Sequence, residues 1–171
     1  MKSTKWFILF IIFVSINIFG QQTTFQDSLL ERMIGNWTLK GIIDSKETTH
    51  DVAISWILGH QYLQISEISH ELNSYAKPAY EALVLIGWDL KLNQYSCLWL
   101  DVTSGGGLSA QPFAHAERKA DKIAFLFKVN DGSAFHTSFV YDRKSDSWQW
   151  LMDGEEKGKM QPFARVKLVK K

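Results

Sequence analysis

Apolar and polar positions alternate along most of this chain after residue 35. A period of two is typical of β-strands that bury one face and expose the other. The breaks between segments carry turn residues, as in Asn130-Asp131-Gly132-Ser133 and Asp153-Gly154. The pattern predicts ten strands, near residues 36–44, 50–58, 61–70, 79–89, 94–102, 107–116, 121–130, 134–142, 146–153 and 159–169.

The order of these segments predicts an all-β fold. No helical period and no βαβ spacing follow residue 35, which excludes the nucleotide-binding α/β folds. We therefore predict a single up-and-down antiparallel β-barrel of about ten strands in preference to a sandwich. Before it, Phe25, Leu29, Leu30 and Met33 recur at helical spacing, which predicts a short capping helix over residues 24–34 that Gly35 ends.

Residues near the two ends of the predicted barrel indicate how it closes. Gly35 and Trp37 open the first strand, and Arg165 lies on the last one. We predict that Trp37 fills the floor of the barrel with the Arg165 guanidinium over its ring. Such a cation–π contact contributes roughly 0.5 to 2 kcal/mol and would tie the first strand to the last.

The first twenty residues have the pattern of a secretory leader. Lys2 and Lys5 precede an apolar run over 6–19, and Gly20 follows it. The run is shorter than a membrane-spanning helix requires, so we predict a cleaved signal over 1–20 and a barrel domain over 21–171. The protein is thus expected to be exported, periplasmic or secreted, with no stable membrane span after cleavage.

Charge and cysteine content narrow the function classes. Loss of Lys2 and Lys5 reduces 19 Lys+Arg to 17 against 18 Asp+Glu, so no nucleic-acid partner is implied. The single cysteine, Cys97, is predicted to be a buried apolar residue rather than a disulfide partner. We predict no metal and no cofactor, because no HExxH or CxxC pattern is present and His50, His60 and His70 have no ligand spacing.

Several short motifs occur in a characteristic order along the barrel domain. They are Gly35-Asn36-Trp37, Leu58-Gly59-His60-Gln61-Tyr62-Leu63, Tyr80-Glu81-Ala82 with Gly87-Trp88-Asp89, Tyr95 to Asp101, and Asp153-Gly154 leading to Arg165. In this order the sequence resembles an uncharacterised family of bacterial calycin-like barrels, relatives in architecture of lipocalins and fatty-acid-binding proteins. The resemblance implies a lipocalin-like barrel.

Strand alternation identifies side chains that should face the barrel interior. Ile123, Phe125, Phe127 and Val129 share one face, as do Phe135, Thr137, Phe139 and Tyr141, so His136 and Ser138 should point outward. The predicted ligand-contacting residues are Glu67, Glu81, Trp99, Asp101, His115, Phe125, Phe127, Phe139 and Tyr141. Trp148 and Trp150 share a face that should also be inward.

Glu81 and Asp101 lie within otherwise apolar strands, where a carboxylate is costly unless it is paired. They could face the cavity and bind a polar group of a ligand, or act as acid and base. They could equally bond tyrosine hydroxyls, backbone amides or Arg165 near the barrel mouth, which is the commoner role of polar residues in barrels.

The strands over 79–89 and 94–102 are apolar on both faces, although a free barrel normally exposes a polar outer face. Either the N-terminal helix or a second copy of the protein should cover this patch. The sequence therefore raises the hypothesis of a homodimer.

The sequence favours an exported barrel that binds a small hydrophobic or amphipathic molecule in its cavity. One alternative is an isomerase, cyclase or hydrolase that uses Glu81 and Asp101 for proton transfer. Another is a haem-binding barrel, which requires an inward histidine such as His115.

Overall fold

A computed structural model describes residues 25–103, 107, 113–128 and 133–171. The predicted leader, Val129, Pro112 and the turn over 130–132 lie outside the described residues. A single 3-10 turn, Leu30–Met33, precedes the strands β1 (Gly35–Ile43), β2 (Lys46–Ile57), β3 (Tyr62–Ser69), β4 (Glu81–Asp89), β5 (Gln94–Asp101), β6 (Phe113–Ala116), β7 (Arg118–Lys119), β8 (Lys122–Lys128), β9 (Ala134–Asp142), β10 (Ser147–Glu156) and β11 (Lys159–Lys170).

These strands form a closed antiparallel β-barrel. Strands adjacent in the chain pair with each other, β1 pairs with β11, and His115 of β6 pairs with Leu126 of β8 to complete the ring. Only Glu117 separates β6 from the two-residue β7, so these two segments count as one strand of the wall. The barrel therefore has ten strands, as the alternation predicted. Among the described strands, closure removes the two edge strands that an open sheet would have.

The predicted inward and outward faces are confirmed where the structure describes them. Ile123, Phe125 and Phe127 of β8 are buried, and so are Thr137 and Phe139 of β9. Trp148 and Trp150 of β10 are fully buried. On the outer face of β9, His136 Nε2 lies 2.7 Å from Glu155 Oε2.

The N-terminal segment closes one end of the barrel, but it does so with a 3-10 turn instead of the helix predicted over 24–34. Asp27 Oδ1 accepts hydrogen bonds from the amides of Leu29 (2.8 Å) and Leu30 (2.9 Å), which satisfies donors at the start of the turn. Leu29, Leu30 and Met33 are buried against the barrel core. Because these residues fill the barrel end, they do not cover the outer face of β4 and β5.

Trp37 lies at the same end, but its predicted contact with Arg165 is wrong. The Trp37 ring is fully buried, its Nε1 donates to the Met33 carbonyl (2.7 Å), and Lys170 Nζ lies 5.3 Å from the ring centroid. Arg165 pairs with Ile42, five residues farther along β1, or roughly 17 Å away.

The alternation of β11 explains where Arg165 goes. Ala164 and Val166 are buried, so the residue between them must face outward. There Arg165 donates to the carbonyls of Met152 (2.8 Å) and Ala164 (2.7 Å) and pairs with Asp153. The first and last strands are therefore joined by their backbone ladder, with Lys170 as the cation over Trp37.

The outer face of β4 and β5 is apolar, as predicted. Leu83 pairs with Leu100 and Leu85 pairs with Leu98, and all four are partly exposed. The homodimer across this face stays a prediction. Within the described residues, no helix has the length and apolar character to cross a membrane.

Gly41 provides a test of the closure between β1 and β11. Its φ is 151°, and a Cβ there would lie 2.2 Å from the Arg165 carbonyl oxygen. We expect Gly41→Ala to lower the free energy of unfolding by at least about 2 kcal/mol, because it combines overpacking with backbone strain.

The measurement is urea unfolding followed by tryptophan fluorescence. The matched control is Gly154→Ala, where a Cβ would meet nothing within 4 Å. We expect its effect to stay within about 0.5 kcal/mol. Equal midpoints for Gly41→Ala and the unaltered protein would contradict the closure described here.

Candidate functional site

A cavity of about 620 Å³ opens at the end of the barrel opposite the 3-10 turn. It lies beside the turn between β1 and β2 and beside the C-terminal ends of β3 and β5. Its lining residues are Ile43, Lys46, Glu47, Thr48, His50, Glu67, Ser69, Glu71, Ala79, Tyr80, Trp99, Asp101, Thr103, Phe127, Phe135, Met152 and Phe163.

A buried histidine and glutamate form the deepest polar part of this cavity. His50 on β2 and Glu67 on β3 are 4% and 1% exposed, and His50 Nδ1 lies 2.5 Å from Glu67 Oε1. Pairing of this kind offsets the large cost of removing a carboxylate from water. The second oxygen, Glu67 Oε2, is buried and has no hydrogen-bond partner among the residues that the structure describes.

A hydrogen-bond chain connects this pair to the mouth of the cavity. Thr48 Oγ1 lies 2.7 Å from His50 Nε2 and donates to Glu71 Oε2 at 3.1 Å. Because a threonine hydroxyl has one hydrogen, its donation to Glu71 makes His50 Nε2 the donor to Thr48. In this arrangement His50 lies between the carboxyl groups of Glu67 and Glu71.

Tyr80 joins the histidine to a second polar group across the cavity. Its backbone N–H donates to Ser69 Oγ (2.9 Å), and its ring stacks on His50 with centroids 5.9 Å apart. The Tyr80 hydroxyl accepts from Trp99 Nε1 (3.2 Å) and donates to Asp101 Oδ2 (3.3 Å). Burial, followed by the charges of Glu67 and Asp101, raises the pKa of Tyr80, so this hydroxyl stays a neutral donor.

The opposite wall of the cavity is apolar. It consists of Ile43, Phe127, Phe135, Met152 and Phe163. A bulge between Met152 and Asp153, opposite Pro162, shifts the register of β10 against β11, because the proline has no N–H to donate to the ladder. Phe163 thereby lies against Phe135, with ring centroids 5.5 Å apart. The cavity as a whole is amphipathic.

The structure divides the predicted ligand-contacting residues into groups. Those that line this cavity are Glu67, Trp99, Asp101 and Phe127. Phe125 and Phe139 are buried in the barrel core, where Phe139 packs on Trp150. Tyr141 lies toward the other end, donating to Asp146 Oδ1 at 2.8 Å under the Arg32 guanidinium.

Two predicted site residues do not face the cavity. Glu81 is exposed on the outer face, because Ala82 is the residue that pairs with Asp101 and points inward. His115 also faces outward, between the buried Ala114 and Ala116, with its Nε2 3.4 Å from Asp89 Oδ2. The proposed proton-transfer pair and the haem ligand at His115 are therefore wrong.

His50 and Tyr80 were missed by sequence reasoning. His50, His60 and His70 were considered together, and all three were set aside because a spacing of ten residues is not that of a ligand set. The useful signal was the parity of β2, because His50 shares the inward face with Val52 and Ile54. Its partner Glu67 is already inward by the parity of β3.

Other groups in the described residues offer less for a ligand. No cluster of three or more His, Cys, Asp or Glu that could hold a metal occurs there. Cys97 is buried, and burial raises the pKa of its thiol. A second cleft of about 710 Å³ lies at the other end, but its Asp27 is bonded to Tyr95 and pairs with Arg118.

The sequence matches no protein-family model and no curated protein with which it was compared. The resemblance to the calycin-like family therefore stays a prediction.

Tyr80 should ionise only when the chain unfolds. The folded state holds its proton, whereas an unfolded tyrosine loses it above about pH 10. This contribution to stability is therefore present below about pH 10 and is lost as the pH rises further. We expect the free energy of unfolding to fall less steeply above about pH 10 in Tyr80→Phe than in the unaltered protein.

Urea unfolding at a series of alkaline pH values measures this slope. Tyr75→Phe is the matched control, because Tyr75 is 82% exposed and takes no part in the cavity. It should leave the slope unchanged. The assignment of Tyr80 is refuted if its substitution also leaves the slope unchanged.

Proposed function

We propose that this barrel binds a small hydrophobic or amphipathic molecule in the cavity beside His50 and Glu67. The observation that carries the proposal is a cavity of about 620 Å³ with one apolar wall and several buried polar groups converging on the other. Ligand sites in proteins have volumes of roughly 300 to 1,000 Å³ and combine apolar lining with a few placed polar groups.

The barrel supplies a physical reason for the cavity to exist. A barrel of ten strands is wider than one of eight. Side chains can fill the interior of an eight-stranded barrel, whereas a wider barrel can leave space for a ligand. Large rings such as Trp37, Trp148 and Trp150 fill the closed end and the middle of the barrel. Toward the other end, the polar side chains of β2 and β3 replace them, and space remains.

The predicted leader over 1–20 adds a location to this proposal. A cleaved signal would place the barrel in the periplasm or outside the cell, where a carrier could collect its ligand. The proposed resemblance to calycin-like barrels is consistent with this role.

The enzyme alternative required Glu81 and Asp101 to face the same cavity, and they do not. Glu81 is on the outside of the wall, so it cannot share a substrate with Asp101 inside it. The haem alternative required an inward His115, but this histidine faces outward. Binding is the function for which the cavity itself gives support.

Narrowing the cavity mouth should weaken binding. Ala79 is exposed and lines the cavity. Its backbone N–H donates to the Glu71 carbonyl (2.7 Å), and a tryptophan at this position keeps that hydrogen bond because it retains the N–H. We expect Ala79→Trp to weaken binding of the neutral fluorescent probe N-phenylnaphthylamine at least about tenfold, because the indole would occupy the mouth.

The measurement is a fluorescence titration of the probe. The matched control is Ala53→Trp, an exposed position on the outer face of β2, which should bind like the unaltered protein. Failure of the unaltered protein to bind the probe, or equal affinities for Ala79→Trp and Ala53→Trp, would argue against the cavity as the site.

A further inference from the structure

We propose that the cavity selects amphipathic cations, that is, molecules with an apolar body and an ammonium head. This inference rests on the proposed function and names the class of ligand. It is carried by the unpartnered oxygen of Glu67 and by the balance of charged groups around the cavity.

Glu67 Oε2 is an acceptor without a hydrogen-bond partner in the described part of the chain. The side chain is 1% exposed, and its other oxygen is bonded to His50 Nδ1. A buried polar atom without a partner costs the desolvation free energy of that group, and the cost is larger for a charged group. A ligand that brings a hydrogen-bond donor to Oε2 removes this cost, so the site favours a donor head group.

The charges around the cavity favour a cation as that donor. The carboxylates among the lining residues are Glu47, Glu67, Glu71 and Asp101, whereas the groups that can be positive are Lys46 and His50. The carboxylates stay in excess even when His50 is counted as positive. A ligand carboxylate would meet charges of its own sign, and an ammonium would meet the opposite sign.

An ammonium also fits this wall better than a hydroxyl does. Hydrogen bonds with an ionised donor or acceptor are about twice as strong as neutral ones, and an ammonium has three donors. Tyr80 and Trp99 line the same wall with their rings, and aromatic faces attract cations. The head group therefore has both acceptors and aromatic neighbours on one side of the cavity.

The apolar wall determines what the rest of the ligand must be. Phe127, Phe135 and Met152 lie across the cavity from Glu67 and offer no charged group to a ligand. Burial of hydrocarbon against them contributes roughly in proportion to the area removed from water. A flexible alkyl chain or a small aromatic body matches this surface.

Three ligands with the same chain test the head group directly. Decylamine, decanol and decanoate, each kept below its micelle concentration, are titrated into the unaltered protein by calorimetry near pH 7. We expect decylamine to bind at least about tenfold more tightly than decanol, and decanoate to bind most weakly.

The outcomes separate this inference from the proposed function. Equal binding of all three, or tightest binding of decanoate, overturns the selection of cations and leaves a binding barrel. Absence of binding by all three overturns the proposed function together with the inference. A clear preference for decylamine supports both.

A substitution then locates the preference. Glu67→Gln keeps the shape of the side chain and removes its charge, so decylamine should bind about tenfold more weakly while decanol changes by less than about threefold. Glu81→Gln is the matched control, because this exposed glutamate lies outside the wall. It should change neither affinity.

Equal loss of decylamine and decanol affinity in Glu67→Gln, with thermal unfolding unchanged, would overturn the role of Glu67. The comparison of three ligands in the unaltered protein does not depend on this variant folding. It decides the selection of cations by itself.

Discussion

The pairing of β1 with β11 is the constraint on which the rest of the structure depends. Seven residue pairs, from Trp37 with Lys170 to Ile43 with Ala164, join the two ends of the barrel domain. At Gly41 the strands approach so closely that no side chain fits. Once the ring is closed, strand alternation assigns each residue to the inside or the outside, and the inward side chains form the core and line the cavity.

The two ends of this interior differ in chemistry. At one end the 3-10 turn and Trp37 form an apolar floor, and the Trp37 N–H is satisfied by the Met33 carbonyl. At the other end His50 and Glu67 place ionisable groups deep inside the wall. Buried groups of this kind are costly for folding alone, so their position beside an open cavity is consistent with a role toward a ligand.

The sequence predicted what local alternation determines. The faces of β8 and β9 and the number of strands follow from a period of two, because each strand carries its own pattern. The position of Glu81 could not be found in this way, since β4 is apolar on both faces and its parity depends on the pairing of Ala82 with Asp101. The outward direction of Arg165 follows from the alternation of β11, but its distance from Trp37 depends on the register between β1 and β11. The contact between His50 and Glu67 likewise joins residues from different strands.

A crystal structure with a bromine-labelled alkylamine tests the central claim most directly, because anomalous scattering locates the bromine without assumptions about the ligand pose. With the bromine at the far end of the chain, we predict its signal beside Phe135 and Met152, with the amine against Glu67. A signal outside the barrel, or in the cleft beside Trp88 and Tyr95, would contradict the cavity as the binding site.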